Sequence, residues 1–225
     1  MSNVAGIILA AGKSSRMKEM KLLLDFRGKP LIEHVLESAL QSSLNRVIVV
    51  LGSEHERIRK NVDFKESIVV FNPDFLEGQS ASLKAGIASA PDECDAALFL
   101  LGDQPLVDRE VIDAVVYKYE ETRALIVAPI FAGRRGNPVL LARPLFPLIL
   151  ALEGDMGARP LLEAHKELVT TVEVGNDGIH CDVDTWEDYL ALLEKVGQAV
   201  EKRHAAHVQN DVKKRKETGA AVRVL

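Results

Sequence analysis

The sequence predicts an α/β fold: a Rossmann-like three-layer α/β/α arrangement around a mostly parallel central sheet. Three observations carry that prediction. Short apolar runs recur at Val4–Ala10, Arg46–Leu51, Ser67–Phe71 and Ala96–Leu101, and continuous apolarity, rather than alternation, marks strands covered on both faces. Between them stand segments with apolar residues at helical spacing, and alternating strands and helices build a parallel sheet. Two of the runs empty into small, Gly-containing turns, Ala11-Gly12 and Gly102-Asp103, and such sheets bind ligands beyond the carboxyl ends of their strands.

Taken in order, Val4–Ala10 with the β-branched pair Ile7-Ile8 is the first buried strand. Leu22–Phe26 is a short strand turned by Gly28. Pro30 suits the first position of a helix, and Leu31, Val35, Leu36 and Leu40 keep one apolar face through Ser42. Arg46–Leu51 is the second buried strand, ended by Gly52, and Ser53 is placed to cap a helix reaching Asn61. After the strand at Ser67–Phe71, the stretch from Gly78 to Leu83 opens a helix to Ala90. Ala96–Leu101 follows, and Asp108 is placed to cap a helix to Thr122 with Val111, Val115 and Tyr119 on one face. Ala124–Pro129 is a strand, Phe131–Asn137 a hairpin, and Val139–Ala142 the strand it enters. Pro144 starts a helix to Leu152, a further helix carries Leu161, Leu162 and His165, and Leu168–Val174 alternates as a half-exposed strand. Thr185 before Glu187-Asp188 reads as a helix start, backed by Tyr189, Leu192, Leu193 and Val196. The pattern fades near Gln198. The expected division is one domain over 1–197 and a mobile C-terminal tail over 198–225 with the basic cluster Lys213-Lys214-Arg215-Lys216.

Composition narrows the function classes. A formal net charge of -5 argues against general nucleic-acid binding by the whole chain. No apolar run approaches the roughly 18 residues needed to span a bilayer, and no secretory signal is visible at the N-terminus. Cys94 and Cys181 have neither CxxC spacing nor a disulfide framework, which suits a reducing compartment. The expected location is the cytoplasm, with no membrane and no nucleic-acid partner.

Chemistry concentrates at three points. The first loop, Ala11-Gly12-Lys13-Ser14-Ser15-Arg16 and on to Lys21, is small and then cationic. Small residues let backbone N–H groups approach phosphate oxygens, and Lys13, Arg16 and Lys21 supply countercharge. It is not a P-loop, because Ile7 stands where the first glycine of GxxxxGK[ST] belongs. The second point is Asp103, a carboxylate at a strand end, where it can hold Mg²⁺ against phosphates or simply form a turn. The third is Asp182-Val183-Asp184, whose two acids share a side if the backbone is extended.

The stretch Leu9-Ala10-Ala11-Gly12-x-Ser14-x-Arg16-Met17-x-x-x-Lys21 resembles the signature loop of nucleotidyltransferases with the nucleotide-diphospho-sugar transferase fold. Within them it is most similar to the molybdenum-cofactor cytidylyltransferases, and the likeness covers residues 4 to 195. It departs from them at Lys18, where the family usually has Gly, and at Asn137, where His is usual. The resemblance implies a nucleotide site of Leu9, Ala10, Ala11, Gly12, Ser14, Arg16, Lys21, Gly78, Ser82 and Asp103. Arg16, Lys21 and Asp103 would be catalytic, and Asp103 with Asp184 or Asp182 would hold Mg²⁺. Gln104, Arg135, Asn137, Asp155 and Arg159 would meet the acceptor. The implied reaction is transfer of CMP from CTP to the terminal phosphate of a molybdopterin-type cofactor, with pyrophosphate released and a molybdenum hydroxylase as possible recipient. The loop reads Leu-Ala-Ala-Gly, not the Leu-Ala-Gly-Gly of guanylyltransferase relatives, which favours cytosine. The alternatives are a related transferase using GTP or a sugar or polyol phosphate, and a non-catalytic pterin-binding chaperone.

Overall fold

The first apolar run becomes strand β1 (Val4–Ala10), and the sheet grows outward from it. The structure, a computed structural model, describes residues 2–12, 17, 19–155 and 157–197. Two compact units are present, one ending at Asp184 and the other beginning at Thr185.

In the first unit β1 is followed by β2 (Asp25–Phe26), β3 (Lys29–Pro30), α1 (Leu31–Leu40), β4 (Arg46–Leu51), α2 (His55–Asn61) and β5 (Ile68–Phe71). Next come α3 (Gln79–Ala88), β6 (Ala96–Leu101), α4 (Arg109–Thr122), β7 (Ile126–Phe131), β8 (Arg134–Arg135) and β9 (Val139–Ala142). The unit continues with α5 (Phe146–Leu150), α6 (Arg159–Ala164) and β10 (Val169–Glu173). The sheet order is β10-β7-β9-β6-β1-β4-β5, with β8 added to β7. β1 runs parallel to both β4 and β6, with Ile7 in register with Ile48 and Phe99. β9 is antiparallel to β6 and β7, so the sheet is mostly parallel but mixed. The antiparallel strands enter through the hairpin at 131–135.

Successive residues of a strand face opposite sides, and β1 feeds two cores. Val4, Ile8 and Ala10 pack with Ile32, Val35 and Leu36 of α1 and Ile112 and Val115 of α4. Ala5 and Ile7 pack with Leu83 and Ile87 of α3, Ile149 of α5 and Leu161 and Leu162 of α6. The helices thus cover both faces, as continuous apolar strands require.

Several local expectations change. Leu22–Phe26 is not one strand: Lys21–Leu23 forms a 3₁₀ turn, and β2 and β3 form a tiny hairpin across Arg27 and Gly28, both at positive φ. Pro30 is the N-cap of α1 and not its first residue. Ser53 caps nothing, since α2 starts at His55 after Glu54 without a side-chain cap. β7 begins two residues later than Ala124, because Arg123 closes α4 in the left-handed region and its N–H reaches back to Tyr119 O at 2.8 Å. Pro144 starts no helix to Leu152: it is the second residue of a 3₁₀ turn over Arg143–Leu145 that leads into α5, which ends at Leu150. Asp108 caps α4 as expected, accepting from Val111 N–H at 3.0 Å.

The described part of the second unit is a helix over 186–197. Thr185 starts it with a reciprocal cap: its Oγ1 accepts from Asp188 N–H at 3.2 Å, and Asp188 Oδ2 accepts from Thr185 N–H at 2.8 Å. Trp186 packs edge-on against Tyr189. The expected tail over 198–225 lies outside the described residues. Among the described residues, no helix is long and apolar enough to cross a membrane.

Candidate functional site

Two cavities open beyond the carboxyl ends of β1 and β6. The larger, about 780 Å³, is bounded by Leu9 to Gly12, Lys21, Gly78, Asp103 and Asp184. The smaller, about 460 Å³, is bounded by Phe99, Arg135, Asn137, Val139, Asp155 and Arg159 among others. Leu9, Gln79, Leu101 and Asp155 line both, so the cavities share a wall. The volumes suit small-molecule ligands.

The β1 end is shaped by close backbone approach. Gly102 N–H donates to Leu9 O at 3.0 Å, extending the β1–β6 ladder one residue past the strands. That bond delivers Asp103 beside the first loop. On the other flank Gly52, at the end of β4, lies against Ala11; a Cβ there would stand 2.5 Å from Ala11 O. Ala11 is buried at the root of the loop. Ser14 and Arg16 fall outside the described residues.

Lys21 reaches from its 3₁₀ turn into the larger cavity, where its Nζ donates to Asp103 Oδ2 at 2.5 Å and to Asp184 Oδ1 at 2.7 Å. Burial works against its charge, but the Asp103 carboxylate and the hydrogen bonds to Asp103 and Asp184 outweigh it. Lys21 is therefore held above the ordinary lysine value of 10.5. Asp103 Oδ1 is buried with no hydrogen-bond partner among the described residues. A buried acceptor left without a partner is costly, and it belongs to the carboxylate whose other oxygen meets Lys21.

Asp182 and Asp184 take different partners. Asp182 Oδ1 accepts from Gln104 Nε2. Burial, then the Asp103 charge, push its carboxyl above the usual 3.8, with the Gln104 hydrogen bond opposing. Gln104 itself is 1% exposed and bounds neither cavity. The structure therefore brings Lys21, Asp103 and Asp184 together and pairs Asp182 with the buried Gln104, outside both cavities.

The start of α3 forms the shared wall. Gly78 has φ 102°, a conformation that favours glycine, and a Cβ there would stand 2.6 Å from Gly154 O. Ser80 N–H donates to Gly154 O at 3.2 Å and Gln79 N–H to Asp155 Oδ1 at 3.0 Å. Asp155 thus caps α3, where a carboxylate is favoured. Ser82 is buried in the next turn and accepts from Asn72 Nδ2 at 3.3 Å; it bounds neither cavity. Arg135, Asn137, Asp155 and Arg159 do meet around the smaller cavity.

Sequence reasoning missed Phe75, Leu76 and Glu77, which bound the larger cavity from a 3₁₀ turn before Gly78. Leu76 is 66% exposed. An apolar pair in an irregular segment has no periodicity to mark it; the available signal was its adjacency to Gly78.

The comparisons with known proteins agree with this geometry. Three relatives cover nearly their whole length. Purine catabolism protein PucB of Bacillus subtilis is 32% identical over 82% of this chain and 93% of its own. Nicotine blue oxidoreductase of Paenarthrobacter nicotinovorans is 29% identical over 84% and 96%. Molybdenum cofactor cytidylyltransferase of Escherichia coli is 26% identical over 87% and 98%. Among solved structures, Rv0371c of Mycobacterium tuberculosis in complex with manganese is 27% identical, covers 86% of this chain and 99% of its own, and superposes with a TM-score of 0.75. Residues 6–169 match the MobA-like NTP transferase domain, a span that runs from the strand feeding the first loop to the start of β10. The chain belongs to this family of nucleotidyltransferases.

Proposed function

We propose that the chain transfers CMP from CTP to the terminal phosphate of a molybdopterin-type cofactor, with Mg²⁺ held by Asp103 and Asp184. One observation carries the two-substrate reading: the larger cavity, with Lys21 and two carboxylates, shares a wall with a smaller cavity lined by Arg135 and Arg159. A nucleoside triphosphate suits the first and an anionic, partly apolar acceptor the second. Attack across the shared wall requires positioning and charge stabilisation but no covalent enzyme intermediate.

The donor set fits Mg²⁺. Among the described residues no cluster of three His, Cys, Asp or Glu side chains forms a metal cage. Mg²⁺ commonly uses one or two carboxylates and takes its remaining ligands from water and phosphates. Asp103, whose Oδ1 has no hydrogen-bond partner among the described residues, would be one such carboxylate, and a similar protein was solved with manganese. The ion would neutralise phosphate charge. Lys21 would then face the departing pyrophosphate together with Arg16, and Asp155 and Arg159 would orient the acceptor from the shared wall. Relatives of similar identity carry three different names, so overall identity does not select the acceptor. The Leu9-Ala10-Ala11-Gly12 loop supports cytosine.

The test is pyrophosphate release with Mg²⁺ and molybdenum-loaded pterin, comparing CTP, GTP, ATP and UTP. Release with CTP alone is expected, and Asp103→Ala should lower it at least about 10²-fold, the scale of losing one transition-state charge partner, in protein that stays folded. Release with GTP in preference overturns the base assignment. Release only with a sugar or polyol phosphate overturns the acceptor, and no release from folded protein overturns the reaction.

A further inference from the structure

Gln104 follows Asp103 in the chain yet turns away from both cavities. Its Nε2 donates to Asp182 Oδ1 and faces Ile179 O at 3.5 Å. Its Oε1 is buried and has no partner among the described residues. Beside this pair Val183 N–H donates to Asp103 O at 3.1 Å, and Asn176 Nδ2 donates to Asp108 Oδ2 at 2.7 Å. The segment 176–184 is thus stitched to 103–108 at separate points, without a strand ladder. Asp184 is the residue immediately after this stitching. The same segment reaches the rim of the smaller cavity, where Ile179 O accepts from Asn137 N–H at 3.3 Å.

We propose that Gln104 and Asp182 are positioning residues whose side-chain bond clips the 182–184 segment to the Asp103 turn and so sets Asp184 opposite Asp103 and Lys21, on the reading given above of those three as the reactive site. The physical reason lies in leverage. The clip adds a side-chain tie to the Val183 backbone bond and the Lys21–Asp184 pair that hold the segment beside Asp103, and a displacement of about 1 Å in a reacting group costs on the order of 10²-fold in rate. The donor end of the bond is buried, with Gln104 1% exposed, and a hydrogen bond anchored in a low-dielectric setting resists that displacement more strongly than one between two exposed groups. The clip requires an acceptor opposite Nε2, not a charge. Asn at 182 keeps the acceptor. Ala at 182 removes it. A metal ligand behaves in the opposite way, since an amide replaces a carboxylate poorly on a hard cation.

Three variants are compared: Asp182→Asn, Asp182→Ala and Asp184→Asn. The first readout is amide hydrogen exchange at Val183 in metal-free protein, which does not depend on the reaction. Asp182→Ala should speed it about 10–100-fold, the range for losing a hydrogen bond to a charged group, and Asp182→Asn should restore slow exchange. The second readout is Mn²⁺ affinity and the kcat-against-KM split. Asp182→Ala should weaken Mn²⁺ and lower kcat by about 10–100-fold with little change in KM for the nucleotide, and Asp182→Asn should recover both. If Asp182→Ala does not fold, Gln104→Met, which keeps the buried volume and loses the donor, takes its place. Unchanged Val183 exchange in the variant lacking the bond overturns the clip. Loss in Asp182→Asn equal to that in Asp184→Asn overturns it too, and makes Asp182 a ligand. Slowed exchange that tracks the bond in a wild-type protein that releases no pyrophosphate overturns the reaction alone and leaves the clip standing.

Discussion

Gly52→Ala tests how tightly the strand ends hold the nucleotide loop. An ideal Cβ at Gly52 would stand 2.5 Å from Ala11 O, 2.8 Å from Ala11 Cβ and 2.9 Å from Ala11 Cα. Carbon atoms rest at about 3.5 Å or more, so the 2.8 Å separation must open by about 0.7 Å. The obstructing atoms belong to backbone and a rigid methyl, so no rotamer change relieves them. β1 cannot yield easily, because parallel ladders flank it on both sides. Overpacking of this kind costs about 1–3 kcal/mol, and the reduced freedom of the unfolded chain returns about 0.4–1 kcal/mol. The net loss is about 1–2 kcal/mol, a Tm drop of about 2–8 °C for a chain of this size. Urea unfolding should show a lower midpoint at unchanged m. Pyrophosphate release should fall further than stability predicts, since the shift falls on Ala11 at the root of the loop. Gly12→Ala is the control: a Cβ there meets nothing within 4 Å, so stability should hold while nucleotide affinity falls at the cavity wall. A Gly52→Ala protein with wild-type midpoint and turnover would refute the close approach.

Two further outcomes are expected. Ala11→Gly removes the methyl that distinguishes this loop from the guanylyl form and should relax the preference for CTP over GTP; an unaltered CTP:GTP ratio in pyrophosphate release would mean the base is chosen elsewhere. Glu37 accepts from Lys29 Nζ at 2.7 Å and Lys65 Nζ at 3.1 Å, and the Lys29 hydrogen bond foremost holds its carboxyl below the usual 4.5. The folded value lies below the unfolded one, so this contribution is complete above pH about 4.5 and is lost as pH falls through the folded value. Glu37→Gln should therefore be less stable than wild type at neutral pH, with the gap closing in acid; a gap constant with pH in urea unfolding overturns the linkage.

Much of the site was legible because its residues sit where regular elements end. Asp103 follows Leu101 at the end of β6, and a strand of unbroken apolar residues announces its own terminus. Lys21 was visible as a cation after a small-residue loop, and the helix start at Thr185 was visible from its capping spacing. The turn at Lys21–Leu23 was not legible, since three apolar residues in a row suit a short strand or a turn equally well. Nor was the direction of β9, because a Gly-Arg-Arg hairpin marks a reversal without saying which neighbour the returning strand will choose.

The sequence by itself determined the α/β class, the order of the main strands and helices, and the two acidic segments that stand out as candidate ligands. Local physics suffices for these: apolar periodicity, caps and turn residues act within a few positions. Only the tertiary structure decided that Asp184 joins Lys21 and Asp103 while Asp182 turns to Gln104. Two acids one residue apart are equivalent in a sequence, and what separates them is the partner each one meets across the fold. Asp182 meets a buried amide, and Asp184 stands on the cavity wall where a lysine 163 positions away in the chain can reach it.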